Sequence, residues 1–266
     1  MATLEPAVNE TYLRQTFGLA GRTALVTGGY GGLGLAIAAA LGRAGARVVV
    51  NGRSAVRCDE AVRTLGEQGI CAVAAPFDVA DEAAVAGAVA RLQAEGMAVD
   101  TLAVTAGVQQ RNPIVDMTLA QWQALMNVHV NGSFNCVRAC LPGMLERGYG
   151  RIVLMSSVAA SEAMPNIAAY ASAKGAISAF TRAVAVEYGA RGVTANALAP
   201  GFVRTSLTSA LQDNPDFQQF IATAVPQGRW AEPADIAPAV VFLASPAAGF
   251  INGHVLTIDG GMLARM

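Results

Sequence analysis

From residue 21 onward the chain falls into seven short apolar runs, each separated from the next by a longer stretch of helix-forming composition. The runs are Thr23–Thr27, Arg47–Asn51, Cys71–Pro76, Thr101–Thr105, Arg151–Ser156, Val193–Leu198 and His254–Ile258. They read as near-continuous apolar stretches instead of alternating ones, the pattern of strands covered on both faces in a parallel sheet. Strand and helix in strict succession make βαβ units, so the chain predicts a doubly wound α/β fold: seven parallel strands with helices on both faces. No Ser/Gly-rich linker or charge block interrupts the succession, which predicts a lead-in over residues 1–20 and a single domain over 21–266. In such sheets ligands lie beyond the carboxyl ends of the strands, so the residues just after each strand matter most.

Charge narrows the function. The 266 residues carry 18 Lys+Arg against 19 Asp+Glu, a net charge of -1, and only 14% are charged, where a soluble domain has roughly 25%. This excludes the basic surplus of a nucleic-acid binder, the basic amphipathic helix of a membrane-surface protein and the composition of a disordered chain. The longest uncharged stretch, Ile236 to Ile258, could cross a bilayer by length. It contains Pro238, Pro246, Gly249, Asn252, Gly253 and His254, which rules out a membrane span. The N-terminus lacks a basic segment followed by an apolar one, so the expected location is the cytoplasm. Cys58, Cys71, Cys136 and Cys140 show no metal spacing and are expected to be reduced thiols, mostly buried; no metal site is predicted.

The first run leads into Thr27-Gly28-Gly29-Tyr30-Gly31-Gly32-Leu33-Gly34 and then an Ala-rich helix, Leu35 to Ala44. Strand, glycine turn and helix in that order build a Rossmann-type phosphate site, where backbone N–H groups meet a pyrophosphate at the positive end of a helix dipole. A tight turn before a helix is the plainer alternative for the glycines alone. The second run ends Asn51-Gly52-Arg53-Ser54, with no acid for a ribose 2′-hydroxyl and with Arg53 available for a 2′-phosphate. NADP(H) is therefore the expected cofactor, with NAD(H) accepted if Arg53 only solvates the following helix.

After the fifth run come Met155-Ser156-Ser157, and later Tyr170-Ala171-Ser172-Ala173-Lys174. Tyr170 and Lys174 share a helix face. Lowering a tyrosine pKa from about 10 to about 7 needs ~4 kcal/mol, close to what one cation ~4 Å away supplies at an effective dielectric of ~20. Ser157 is placed to hydrogen-bond the reacting oxygen while Tyr170 passes the proton.

These motifs resemble the short-chain dehydrogenase/reductase family along nearly the whole chain, through the glycine loop, Asp78-Val79, Ala106-Gly107, the Ser157/Tyr170/Lys174 set, Pro200-Gly201-Phe202-Val203-Arg204-Thr205 and Asp259-Gly260-Gly261. The resemblance implies that Tyr170 is the acid/base, that Ser157 positions the carbonyl, and that Lys174 binds the nicotinamide ribose and lowers the tyrosine pKa. It also implies that Asp78 and Val79 contact the adenine, that Pro200 and Gly201 cover the nicotinamide, and that Val203 and Thr205 touch its carboxamide or the phosphates.

Two departures stand out. The family's Asn-Asn-Ala-Gly is Val104-Thr105-Ala106-Gly107 here, with the Thr105 hydroxyl as the substitute for the asparagine. His129 falls where the catalytic asparagine normally sits, and is expected to support a proton relay through its main chain; simple packing is the alternative. The string Gly107-Val108-Gln109-Gln110-Arg111, with Gly228-Arg229-Trp230 and the Asp259 to Arg265 ending, resembles gluconate 5-dehydrogenases and 2-deoxy-gluconate 3-dehydrogenases. Arg111 is then a clamp for a sugar-acid carboxylate, unless it pairs with a surface acid such as Asp116. Phe202 and Leu207 are assigned to the substrate by resemblance.

The expected function is hydride transfer between NADP(H) and a secondary alcohol or ketone of a small-molecule sugar acid. The alternatives are a 3-oxoacyl-thioester reductase and a non-catalytic NADP(H)-sensing scaffold. The shortage of charge is densest from Tyr170 to Ala185, from Trp122 to Cys140 and from Ile236 to Ile258, the segments through which this family assembles. A homotetramer, or a homodimer, is therefore expected.

Overall fold

The computed structural model describes residues 8–265. The helices and strands follow as α1 (Glu10–Phe17), β1 (Thr23–Thr27), α2 (Gly32–Arg43), β2 (Arg47–Gly52), α3 (Ala55–Gly66), β3 (Ala72–Pro76), α4 (Glu82–Ala94) and β4 (Thr101–Val104). Then come α5 (Leu119–Met126), α6 (Gly132–Glu146), β5 (Gly150–Met155), α7 (Ala168–Tyr188), β6 (Val193–Pro200), α8 (Ser209–Gln212), α9 (Pro215–Ala224), α10 (Pro233–Ala244) and β7 (Val255–Ile258). All strand pairs are parallel, in the order β3-β2-β1-β4-β5-β6-β7.

Strand side chains alternate between two apolar layers, as a period of two requires. Leu25, Val49, Leu102, Ile152 and Leu154 pack on one face with side chains from α4, α6 and α7. Ala24, Val26, Val48, Val50 and Val153 pack on the other with α2, α3 and α10. Strands β1, β4 and β6 are wholly buried. The edge strands β3 and β7 are partly exposed, because each has a neighbour on one side only. Within the lead-in, α1 is capped by Asn9, whose side chain accepts from the Tyr12 N–H at 2.9 Å. Of the four free cysteines only Cys71 is exposed. The uncharged stretch from Ile236 is divided among α10, a short 3-10 turn and β7. No helix among the described residues is long and apolar enough to cross a membrane.

The strand order reverses between β1 and β4, and the cofactor-side loops leave the sheet there. Their departure is fixed by hydrogen bonds between the two strand ends. The Thr105 hydroxyl donates to the Thr27 carbonyl at 2.5 Å, and the Thr27 hydroxyl accepts from the N–H groups of Thr105 and Ala106 at 3.1 and 3.2 Å. Thr105 thus does steady the central strand through its hydroxyl. Thr105→Val, of equal shape, is expected to remove about 1 kcal/mol and to lower Tm by roughly 2–4 °C. An unchanged Tm in thermal unfolding followed by circular dichroism would show that the hydroxyl is dispensable.

Candidate active site

Two adjoining cavities open at the carboxyl ends of the strands. The first, of about 340 Å³, is lined by the glycine loop from Gly28 to Gly34 (Gly29 aside), Asn51 and Arg53, Asp78 and Val79, Thr105 to Gly107, and Pro200, Gly201, Val203 and Thr205. Ser54, next to Arg53, caps α3 by accepting from the Arg57 N–H at 3.4 Å. The second cavity, of about 550 Å³, contains Arg111, Phe202 and Leu207. Ser157, Tyr170, Gly201 and Leu207 border both.

The glycine loop fits a dinucleotide. A Cβ on Gly34 would lie 2.2 Å from the Gly28 carbonyl oxygen, and one on Gly28, at φ +65°, would lie 2.9 Å from Ala106 Cα. These two glycines let loop, helix and β4 touch. Gly31, the N-cap of α2, offers no capping side chain, so the first N–H groups of that helix remain available to an anion. Asn51 is fully buried with its amide N–H groups on the Ala75 and Phe77 carbonyls at 3.1 and 3.0 Å. Its Oδ1 has no partner.

Ser157, Tyr170 and Lys174 converge as the spacing predicts. Ser157 Oγ accepts from the Ala159 N–H at 3.1 Å, which fixes its rotamer. Lys174 Nζ donates to the Met155 carbonyl at 2.7 Å and lies 5.3 Å from the centre of the Tyr170 ring. Burial pushes the Lys174 ammonium down to about 7, leaving it only about half protonated near neutrality. Burial also raises the Tyr170 phenol, while the Ser157 hydroxyl and the Arg111 guanidinium pull it back. Arg111 is thus one cation that acts on the tyrosine, and the Lys174 Nζ lies beside the ring. Arg111 makes no ion pair or hydrogen bond among the described residues, and Asp116 does not meet it.

His129 is buried in a single π-helical turn, Asn127–Asn131, between α5 and α6. Its main-chain oxygen accepts from Ser133 Oγ at 2.6 Å. Its Nε2 is 2.7 Å from the Val108 carbonyl oxygen and 3.1 Å from the Val108 nitrogen. One nitrogen can serve only one of the two, and the shorter contact is donation to the carbonyl. Burial and the nearby Lys174 lower its pKa to about 3, so the ring is neutral at working pH. The side chain pins the strand-end loop that carries Arg111, and its ring sits edge-on to Tyr170 with centroids 5.6 Å apart.

Sequence reasoning missed several lining residues. Arg57 enters the first cavity across the Tyr30 ring. Gln109, Glu162 and Arg265 bring polar groups to the second. The ending that contains Arg265 was noted only as a string; nothing in it signals that the tail folds back to a cavity.

The family model described as enoyl-(acyl carrier protein) reductase matches residues 28–263. The chain is 39% identical over 250 residues to a gluconate 5-dehydrogenase of Gluconobacter oxydans, covering 94% of this chain and 98% of that one. It is 34% identical over 254 residues to a 5-keto-D-gluconate 5-reductase of Escherichia coli, covering 96% and 100%. A crystal structure of a gluconate 5-dehydrogenase from Burkholderia cenocepacia in complex with NADP and tartrate superimposes with a TM-score of 0.93 at 38% identity, covering 95% of this chain and 99% of that one. With the glycine loop at the strand reversal and the Ser157, Tyr170 and Lys174 side chains converging beside it, these likenesses show that the chain belongs to the short-chain dehydrogenase/reductase family, NAD(P)-dependent oxidoreductases acting on CH–OH groups.

Proposed function

We propose that this enzyme moves hydride between NADP(H) and a secondary alcohol or ketone of an open-chain sugar acid, with gluconate and 5-keto-gluconate as the type substrates. The observation that carries this is Arg111: a half-buried guanidinium without a partner, beside Tyr170, in a cavity walled largely by apolar side chains. A cation in that setting gains most from a carboxylate that brings matching acceptors. The relatives named above act on such acids, which favours this reading over a thioester reductase or a silent scaffold.

The nicotinamide, when bound in the first cavity, supplies or takes up the hydride. The rest is the work of the chain. Tyr170 exchanges the proton with the substrate oxygen, and Ser157, its rotamer fixed by the Ala159 N–H, hydrogen-bonds that oxygen. Arg111 favours the tyrosinate and holds the carboxylate. Lys174 meets the ribose, and neutral His129 holds the Val108 to Arg111 loop in place. Glycine-loop N–H groups take the pyrophosphate, Asp78 and Val79 border the adenine, and Phe202 and Leu207 cover the substrate from the α8 and α9 side. The enzyme works in the cytoplasm with the diffusible nicotinamide pool, as a homotetramer. Phe134 on α6 and Val186 on α7 are exposed large apolar side chains, and Phe250 is exposed at 104%, surfaces suited to burial between subunits.

Three measurements test this reading. Arg111→Met is expected to raise KM for 5-keto-gluconate about 10- to 100-fold while the KM for NADPH stays within about twofold; good turnover of uncharged ketones with none of keto-sugar acids would refute the substrate class. The second concerns pH. The unfolded chain keeps Lys174 protonated up to its usual 10.5, whereas the folded protein releases that proton near 7. Between those values the unfolded state binds more protons, so stability rises with pH. Tm of the nucleotide-free protein should therefore climb from pH 7 to 9, and Lys174→Met should flatten the climb; parallel curves would refute the burial of an ammonium. Finally, light scattering at micromolar concentration should return the tetramer mass, and a monomer would overturn the assembly.

A further inference from the structure

Strand β2 ends at Gly52, the chain turns at Arg53 and Ser54, and α3 begins at Ala55. Around that turn the first cavity has a structure that the glycine motif and Arg53 do not account for. The Tyr30 ring lies where a side chain at position 52 would be: a Cβ on Gly52 would sit 1.9 Å from Tyr30 Cε1. The ring is thereby laid over the end of β2, and the Arg57 guanidinium stacks on it, with Cζ 4.1 Å from the ring centre. The same guanidinium reaches the glycine loop, where Arg57 Nη2 is 3.5 Å from the Cβ position of Gly31, the uncapped start of α2.

No ion pair among the described residues balances this charge. Arg57 is the third residue of α3, a position where a cation opposes the helix dipole, and the first turn of α3 holds no acid. Among the described residues neither Arg53 nor Arg57 forms an ion pair. Asp78, in the same cavity, accepts from the Ala80 N–H at 2.9 Å and pairs with neither arginine among the described residues. Two guanidiniums and the starts of α2 and α3 thus meet at one rim of the cavity, an arrangement that suits a compact dianion. Stacking on Tyr30 leaves the edge of the guanidinium, with its forked N–H groups, free to pair with oxygens.

We propose that Arg57, held flat on Tyr30, is the second cation that binds the 2′-phosphate of NADP(H) together with Arg53, and that the Tyr30–Arg57 stack sets the preference for NADP(H) over NAD(H). The inference rests on the NADP(H) reading of this cavity. It adds a residue one helical turn beyond Arg53 and a reason for Tyr30 and Gly52 to stand where they do. Tyr30 acts here as a positioning residue: it orders the arginine before the phosphate arrives, so less side-chain freedom is lost on binding.

The experiment is calorimetric titration of the full chain with 2′,5′-ADP and with 5′-AMP, fragments that differ by the phosphate in question and need no turnover. The readout is the ratio of the two dissociation constants. Arg57→Met keeps the apolar stem over Tyr30 and removes the charge. It is expected to weaken 2′,5′-ADP about 10- to 100-fold and to leave 5′-AMP within about threefold, with a shallower dependence on salt. Tyr30→Leu should reduce the ratio in the same direction, and the double variant should be no worse than Arg57→Met alone, because the two act as one unit. If Arg53→Met collapses the ratio while Arg57→Met leaves it at the wild-type value, the proposal is wrong and the cofactor reading stands. If the unaltered protein binds both fragments equally, the cofactor reading itself fails and takes the proposal with it. An unchanged Tm for Arg57→Met, expected because Arg57 is exposed, separates lost contacts from lost folding.

Discussion

The meeting of β1 and β4 holds the rest of the molecule in place. Their ends approach so closely that Gly28 and Gly34 have no room for a methyl group, and Thr27 is joined across the gap by two hydrogen bonds to Thr105 and one to Ala106. Helix α2 must start where this junction sends it, so its open N-terminus faces the first cavity. The loop after β4 must leave in the opposite sense, so Gly107 and Val108 border the first cavity and Gln109 and Arg111 the second. Cofactor and substrate are brought side by side by a contact in which neither takes part.

Within the site, burial ranks the charges. Lys174 and His129 are withdrawn from water and lose protons more readily than usual, whereas a half-buried arginine stays charged at any pH at which the protein is folded. Arg111 thus adds a positive charge to Tyr170 from the side of the second cavity. A carboxylate drawn to Arg111 partly neutralises the charge that favours the tyrosinate, so substrate binding and proton affinity are coupled through one side chain. In the proposed reading, an acid bound at Arg111 would raise the proton affinity of Tyr170 and so favour its protonated form.

The strands were legible because a parallel sheet buries both faces, which writes continuous apolar runs into the chain; the edge strands β3 and β7 read like the others although they are less covered. The reacting set was legible because a helix turns Tyr170 and Lys174 to one side whatever else happens. Contacts made through space without periodicity left no such mark. His129 holds a main-chain carbonyl 21 residues away, and Lys174 answers to a carbonyl on β5. Arg57 looked like any exposed helix residue until Tyr30, from the preceding βα turn, was laid beneath it. Arg265 reaches the second cavity because the last 3-10 turn folds back against α9, where its guanidinium donates to the Thr223 carbonyl. Ser54 also takes a local task that its place before a helix explains, capping α3.

The contact between Gly107 and His129 also limits the order in which this site can change. A Cβ at 107 would lie 2.7 Å from His129 Cε1, and the ring cannot swing aside while Nε2 is tied to Val108. Any side chain at 107 is thus closed off as long as histidine occupies 129, and opens only after a smaller residue has replaced it. The two positions form a one-way ratchet: exchanging 129 first keeps every path available, whereas exchanging 107 first passes through a broken intermediate. The glycine that closes the family's Asn-Asn-Ala-Gly string thus carries a second, steric constraint here, imposed by the His129 ring.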